Sequence, residues 1–526
     1  MRKLISVILI CLLAAASFAV AAIANPVAYV TYAQFGAVGD GVTCDFDAII
    51  AAHDYANTNN LPVRAGTGTF YIGESGRSAI VQTNTDWTGA TFIIDNTVVP
   101  AQERHAASNQ FYRYYNVFVV SSRLASFDLA DEVDTLYVGM ENVGITLPQP
   151  AFVVARDHTT RHWGYHPMTD VFIIDENGNV CPTTPIVWDF NEVTEFIVHP
   201  IDAETLHITG GTFHTIEAMS GRRGPFYRRG IDFARSNVVL DGVTHYIVNP
   251  IVPGDETGRA WGLVQIMRAS GITVQNSMLA GRVGYDIHME SSANILFYNV
   301  GQTVCIHDSN YWGITGTHRN KNLVFDNVAL SRIGSHMGVH NLTIRNSEVG
   351  WSGIPTTGSG TLLLENTTVS SWHLITLREL FGSSWRGNLI IRDVVFNPRS
   401  SDVALIYFAN NGQNNFGFPA AIPTTVCIDG LIIDDAHMRW NGRSFPHIYT
   451  GPTIFTANHT YGNDALGILL LWDWLTVRRR APYRIQITQE VSLRNVEVTS
   501  GRRLRLSRSV FEFRNTNITW RCPCAS

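Results

Sequence analysis

Lysine is nearly missing from this chain. Of 38 basic residues only two are lysine, Lys3 and Lys321, and the rest are arginine. Lys3 lies in the N-terminal segment that reads as removable, so a mechanism that needs a lysine base has Lys321 alone to draw on. Charge is also scarce, at 16% of residues with a net charge of −6. That balance excludes a polyanion-binding surface, so neither nucleic acid nor an anionic membrane is an expected partner. Cysteine is sparse: seven residues, far apart except for Cys522 and Cys524, with no pair of C-x-x-C motifs. On that spacing zinc is not expected and no metal site is assigned; it names no disulfide pairs, leaving bridges and buried free thiols equally open. Long apolar runs are missing too. After the first two dozen residues nothing approaches the ~20 that span a bilayer. "LGILLLWDWL" (Leu466–Leu475) is short and contains Asp473.

What is present begins with an export signal. Arg2 and Lys3 are followed by the apolar stretch Leu4–Leu13 and an A-x-A site at Ala22-Ile23-Ala24. The expectation is a bacterial protein processed after residue 24, secreted (extracellular or periplasmic) and not inserted in a membrane. Apolar residues make up 45% of the sequence, an ordered composition.

One short phrase recurs: an apolar-x-apolar-x run closing on Asn or Asp. It appears as "GITVQNS", "ANILFYNV", "KNLVFDNV", "HNLTIRNS", "TLLLENTT" and "NLIIRDVV". The closing residues are Asn276, Asn299, Asn327, Asn346, Asn366 and Asp393, at steps of 23, 28, 19, 20 and 27 residues. Period-two alternation makes each phrase a strand with one buried face. No helical pattern lies between copies, so βαβ units are excluded. Such strands bury their apolar faces only by stacking, which gives a parallel β-helix over about residues 200–500. An Asn at one fixed place per coil would form a hydrogen-bonded ladder at the ~4.8 Å strand spacing. A single amphipathic helix is expected over about 45–57, with Phe46, Ile49, Ile50 and His53 on one face and Thr43 or Asp45 as its N-cap. It would cover the exposed first coil. Residues 88–200 repeat poorly and read as an insertion or side lobe. Asn177-Gly178 marks a hairpin there, and "RDHTTRHWGYH" (Arg156–His166) reads as a loop near a groove.

The stretch "FGAVGDGVTCDFDAIIAAHDYA…LPVRAGTGTFYIG" resembles the N-terminal signature of the pectate-lyase-like right-handed parallel β-helix superfamily. It departs from that signature at Cys44-Asp45-Phe46-Asp47, where D-D-T is common. The resemblance implies the fold. It leaves activity open, because the superfamily includes lyases, hydrolases, epimerases and phage tailspikes.

On such a fold, outward residues at one position of successive coils form a row. Counting forward from the ladder residues puts Asp286, Asp308 and His336 in one row, flanked by Arg282 and Arg332. Two carboxylates on neighbouring coils suit glycosidic hydrolysis, with the acid–base pair set apart by one or two strand spacings. His336 would share or tune the proton. Arg229 and Asp232 in "YRRGIDFARSN", together with His288, His307 and Trp312, are candidate substrate contacts. His373, Arg378 and Glu379 could extend a subsite. The first expectation is a secreted enzyme that hydrolyses a polysaccharide or oligosaccharide, with no cofactor. A lyase acting on a uronic-acid polymer stands second, with Arg332 and His336 as its machinery and calcium admitted. A non-catalytic glycan-binding protein stands third.

Overall fold

The computed structural model describes residues 29–99, 116–161, 166–217, 227–248, 260–281, 285–308, 315–378, 382–400, 403–409, 420–438, 451–458, 486–507 and 516–521. The N-terminal segment 1–28, Cys522 and Cys524 lie outside them, as do three of the site candidates, Arg282, Trp312 and Glu379.

The repeated phrases stack as parallel neighbours. Ser270–Leu279 pairs with Ala293–Gln302, then come Thr315–Asp326, Met337–Arg345, Gly358–Ser371, Trp385–Pro398, Thr425–Ile433, Glu490–Val498 and Asn517–Arg521. The register is set by the apolar alternation. Val274, Phe297, Phe325, Ile344, Leu364, Ile391, Ile428 and Leu493 follow one another up a single interior column, none more than 1% exposed. A one-residue slip would turn the whole column to water. Phe297 and Phe325 stack with ring centroids 4.9 Å apart.

The ladder residues sit at the bend that ends each phrase. Asn276, Asn299, Asn327, Asn346, Asn366 and Asp393 all have φ between 44° and 54°. Asn tolerates that left-handed conformation better than other side-chain-bearing residues. Asn299 Nδ2 donates to Asn276 Oδ1 at 2.8 Å, Asn327 to Asn299 at 3.3 Å and Asn366 to Asn346 at 2.9 Å. A second ladder runs along the bend before each phrase: Asn322 Nδ2 donates to Asn294 at 2.8 Å and Asn341 Nδ2 to Asn322 at 3.0 Å. Its signal was in the phrases "ANILF", "KNLVF" and "HNLTI", each with Asn ahead of the apolar run.

The single α-helix among the described residues spans Phe46–Asn59 and buries Phe46, Ala48, Ile49, Ala52, His53 and Ala56 against the first coils. Ile50 is only half-buried. Asp45 is the N-cap residue but makes no side-chain cap bond. Its carboxylate instead accepts from Val38 N at 2.6 Å and Gly39 N at 3.1 Å, which ties down the glycine-rich turn. His53 lies in the core, where its Nε2 is 2.9 Å from Tyr32 Oη. Trp87 Nε1 donates to the same hydroxyl at 2.9 Å.

The side lobe begins later than residue 88. Ala90–Asp95 and Phe118–Ser121 are coil strands, in parallel register with Thr212–Ile216 and Ile231–Ala234. Between Ser121 and Leu206 the chain builds a separate antiparallel sheet from Phe127–Asp128, Ala151–Arg161, Pro167–Ile174 and Glu195–Pro200. This sheet has its own core of Val153, Phe172, Ile174, Phe196 and Val198. Asn177-Gly178 forms a tight turn followed by one isolated bridge, Ile174 to Val180, not a full hairpin. "RDHTTR" proves to be strand. Cys44, Cys305 and Cys427 are free and exposed, and Cys181 is free and half-buried, so none is a buried thiol. No helix among the described residues is long and apolar enough to cross a membrane.

Candidate active site

The strand Tyr285–Glu290 organises the site. Ile287 and Met289 point into the core, so His288 and Glu290 point outward. The strand lies between Ala260–Met267 and Thr315–Asp326, which places His288 beside Gln265 and Glu290 beside His318.

Asp286 does not join this outward face, and the proposed row of Asp286, Asp308 and His336 does not exist. The register slips between Trp261 and Val264, opposite Tyr285–Ile287, leaving a bulge at Gly262–Leu263. Asp286 fills it, fully buried. Its carboxylate accepts from Leu263 N at 2.8 Å, from Gly281 N at 3.3 Å and from Ala280 N. His245 Nδ1 lies 2.9 Å from Oδ1, and His245 Nε2 lies 2.9 Å from Thr215 Oγ1. Burial pushes this carboxyl up, but the His245 charge and the converging donors outweigh it and hold its pKa below the usual carboxylate value. Asp286 is thus an interior staple for amides that the bulge and the turn at Ala280 leave without strand partners. A Cβ at position 262 would stand 1.9 Å from Asp286 Oδ1, so the close approach requires glycine.

Asp308 and His336 belong to different elements. Asp308 ends a turn closed by its N–H on Cys305 O at 3.1 Å. Next to it, His307 Nε2 lies 3.3 Å from Glu348, the first residue of the strand Glu348–Thr356. The His336 carbonyl meets the other end of that strand, accepting from Thr357 Oγ1 at 3.1 Å. His307 is therefore an ion-pairing surface residue away from the cluster. Arg229 is buried and donates to Glu74 O at 2.6 Å, pinning an early coil. Asp232 is half-buried on the same outward face as His288, with Gln265 between them in register.

His336 does sit in a cluster, and it is one of hydroxyl, imidazole and guanidinium groups. Tyr285 Oη lies 2.7 Å from His336 Nε2, Arg332 Nη2 lies 3.4 Å from the same nitrogen, and His318 Nε2 lies 3.2 Å from His336 Nδ1. Arginine only donates, so His336 Nε2 accepts and the ring proton belongs on Nδ1. The Arg332 guanidinium stands 5.9 Å from the Tyr285 ring centroid. Arg378 arrives from the next coil, its N–H donating to Thr356 O at 3.1 Å. Burial, then the Arg332 charge, pushes Arg378 down to about 9. Arg332 is lowered by burial. Burial and the neighbouring arginines also hold His336 neutral, well below its ordinary value, and burial takes His318 down to about 3.

The lobe forms one wall beside this cluster. Lys321 Nζ meets Asp170 of the lobe at 2.6 Å, with both side chains buried, and also donates to Pro185 O. Asn322 Nδ2 donates to Thr183 O at 2.7 Å. The one lysine among the described residues is therefore a docking residue, not a base. Lobe and coils flank a shallow cleft lined by Trp188 and Asp170 on one side and by Arg319, Met337, His340 and Ser359 on the other. Arg386 stands 5.3 Å from the Trp188 ring centroid. His166, at the end of the lobe segment singled out in the sequence, lies where the Arg319 and Glu290 charges act on it.

No protein-family model matches the sequence, and no curated protein does. Solved structures do match. The gp61 tailspike of Pseudomonas phage phi297 superposes at a TM-score of 0.54 with 12% identity, over 93% of this chain and 83% of its own. The Gp54 tailspike of Acinetobacter baumannii bacteriophage AP22 superposes at 0.51 with 10% identity, over 94% and 79%. The chain is a right-handed parallel β-helix. At such identity the likeness carries fold and no residue roles, so the site rests on its own geometry.

Tyr285 and His318 escaped the sequence reading, although a different alignment would have found His318. Counting back four residues from Asn294 and Asn322 lands on Glu290 and His318, which are true register partners. Counting forward from the ladder crosses turns of unequal length.

Proposed function

We propose that this protein cleaves an acidic polysaccharide outside the cytoplasm by β-elimination. The observation that carries the reading is the contact of Tyr285 Oη with His336 Nε2 at 2.7 Å, beside the Arg332 guanidinium. Elimination next to a uronate needs three things from the protein: a cation to hold the carboxylate as negative charge builds, a base for the carbon-bound proton, and an acid for the departing glycosidic oxygen. Arg332 and Arg378 supply the first. His336 and Tyr285 supply the other two: the imidazole takes the proton α to the carboxylate, the C–O bond breaks as the double bond forms, and the phenol protonates the leaving oxygen. Two-carboxylate hydrolysis loses support because Asp286 is interior and Glu290 is engaged by Arg319. The Trp188 side of the cleft offers an aromatic face on which a sugar ring can stack. The AP22 tailspike, which shares the fold, was solved with a capsular saccharide, the class of ligand assigned here.

The test is a panel of uronic-acid polymers with two readouts, new reducing ends and the ultraviolet absorbance of an unsaturated sugar. Both should rise together. Tyr285→Phe and His336→Ala should each lower the rate by about 10²–10⁴ while the thermal midpoint is nearly kept. Reducing ends without the chromophore would assign hydrolysis instead. Binding without either product would make this a glycan-binding protein.

A further inference from the structure

We propose that His288, Glu290 and His318 form a binding site for a divalent transition-metal ion of the zinc class. One ligand atom from each of the three lies within 4.8 Å of the other two. Strand geometry produces this arrangement. His288 and Glu290 are two apart on one strand and share its outward face, and His318 is the register partner of Glu290 on the next strand, one strand spacing away. The rings of His288 and His318 meet edge to face, with centroids 5.2 Å apart.

Two imidazoles and one carboxylate suit zinc and its neighbours in the first transition row; calcium takes oxygen ligands. His336 Nδ1 lies 3.2 Å from His318 Nε2, so an ion taking that nitrogen replaces the His336 contact. Arg319 ion-pairs with Glu290. That guanidinium is a built-in competitor, because an ion taking the Glu290 carboxylate displaces a positive charge already there. The absence of C-x-x-C pairs argued against zinc only as a cysteine site, and no cysteine belongs to this set. The proposal does not depend on the elimination reading, since its readout is metal content, not turnover.

The experiment strips the full-length protein with a chelator, dialyses it against zinc and measures bound metal per chain. The expected result is about one zinc per chain, unchanged after alkylation of the cysteines. His288→Ala and His318→Ala should each weaken binding by at least about tenfold. Arg319→Ala should strengthen it several-fold, because Glu290 loses its competitor. Cobalt in place of zinc should show ligand-field bands without thiolate charge transfer. Should a histidine variant fail to fold, Arg319→Ala and the cobalt spectrum still decide. Zinc held no more tightly by the wild type than by a folded His288→Ala variant, zinc lost on alkylation, or affinity unmoved by Arg319→Ala would each overturn the proposal.

Discussion

Removing the Asp286 carboxylate would leave His245 and the amides of Leu263, Ala280 and Gly281 facing a dry interior. Breaking a buried, hydrogen-bonded charge at one partner costs about 3–5 kcal/mol. Asp286→Ala should therefore lower the denaturation midpoint strongly. Tyr285→Phe, which deletes one hydroxyl beside His336, should leave it nearly unchanged and remove activity. Measuring both on the same two variants separates staple from site. A large activity loss in a fully stable Asp286→Ala protein would return Asp286 to the chemistry. The two residues are adjacent in sequence. Only the bulge at Gly262–Leu263 turns one into the coil and leaves the other at the cluster, and its one local sign is the lone Gly262 inside an apolar run.

The capping helix makes the stability of the first coils depend on pH. His53 is buried between Tyr32 and the Phe118 ring, and burial lowers its pKa from 6.5 to about 3. The folded state thus keeps His53 neutral where the unfolded chain would protonate it. Its contribution is fully present above pH 6.5 and is lost progressively as the pH falls toward 3. Between pH 6.5 and pH 5 the loss is about 2 kcal/mol, at 1.36 kcal/mol per pH unit. Thermal midpoints measured across that window should fall less steeply for His53→Leu than for the wild type. Equal slopes would mean that the cap does not hold His53 neutral. The helix itself was legible in the sequence because its apolar spacing is local. Its N-terminal chemistry was not, since the Asp45 carboxylate serves the preceding turn.

At the scale of the whole molecule, a buried ion pair and the packing of Phe152, Val154 and Val171 on Ala293 join two cores. The lobe has its own apolar cluster, and Lys321–Asp170 joins it to the coils with both side chains dry. Burial lowers the Lys321 pKa and the Asp170 charge opposes the shift. Lys321→Met should expose the lobe boundary to limited proteolysis and cost about 3–5 kcal/mol, because Asp170 is left buried alone. Lys321→Met combined with Asp170→Leu should recover most of that loss; no recovery would show that the two charges are not coupled. The cleft should open with the single variant, so glycan affinity should fall before activity in free solution does. The sequence by itself determined that the chain coils, where the repeated phrases run as strands and which residue turns the bend that closes each phrase. Those are matters of alternation and backbone preference, written within a few residues. The tertiary structure alone decided which polar side chains meet. Coils of unequal length bring residues 18 to 51 positions apart into contact around His336, and the count along the chain does not measure the distance between them.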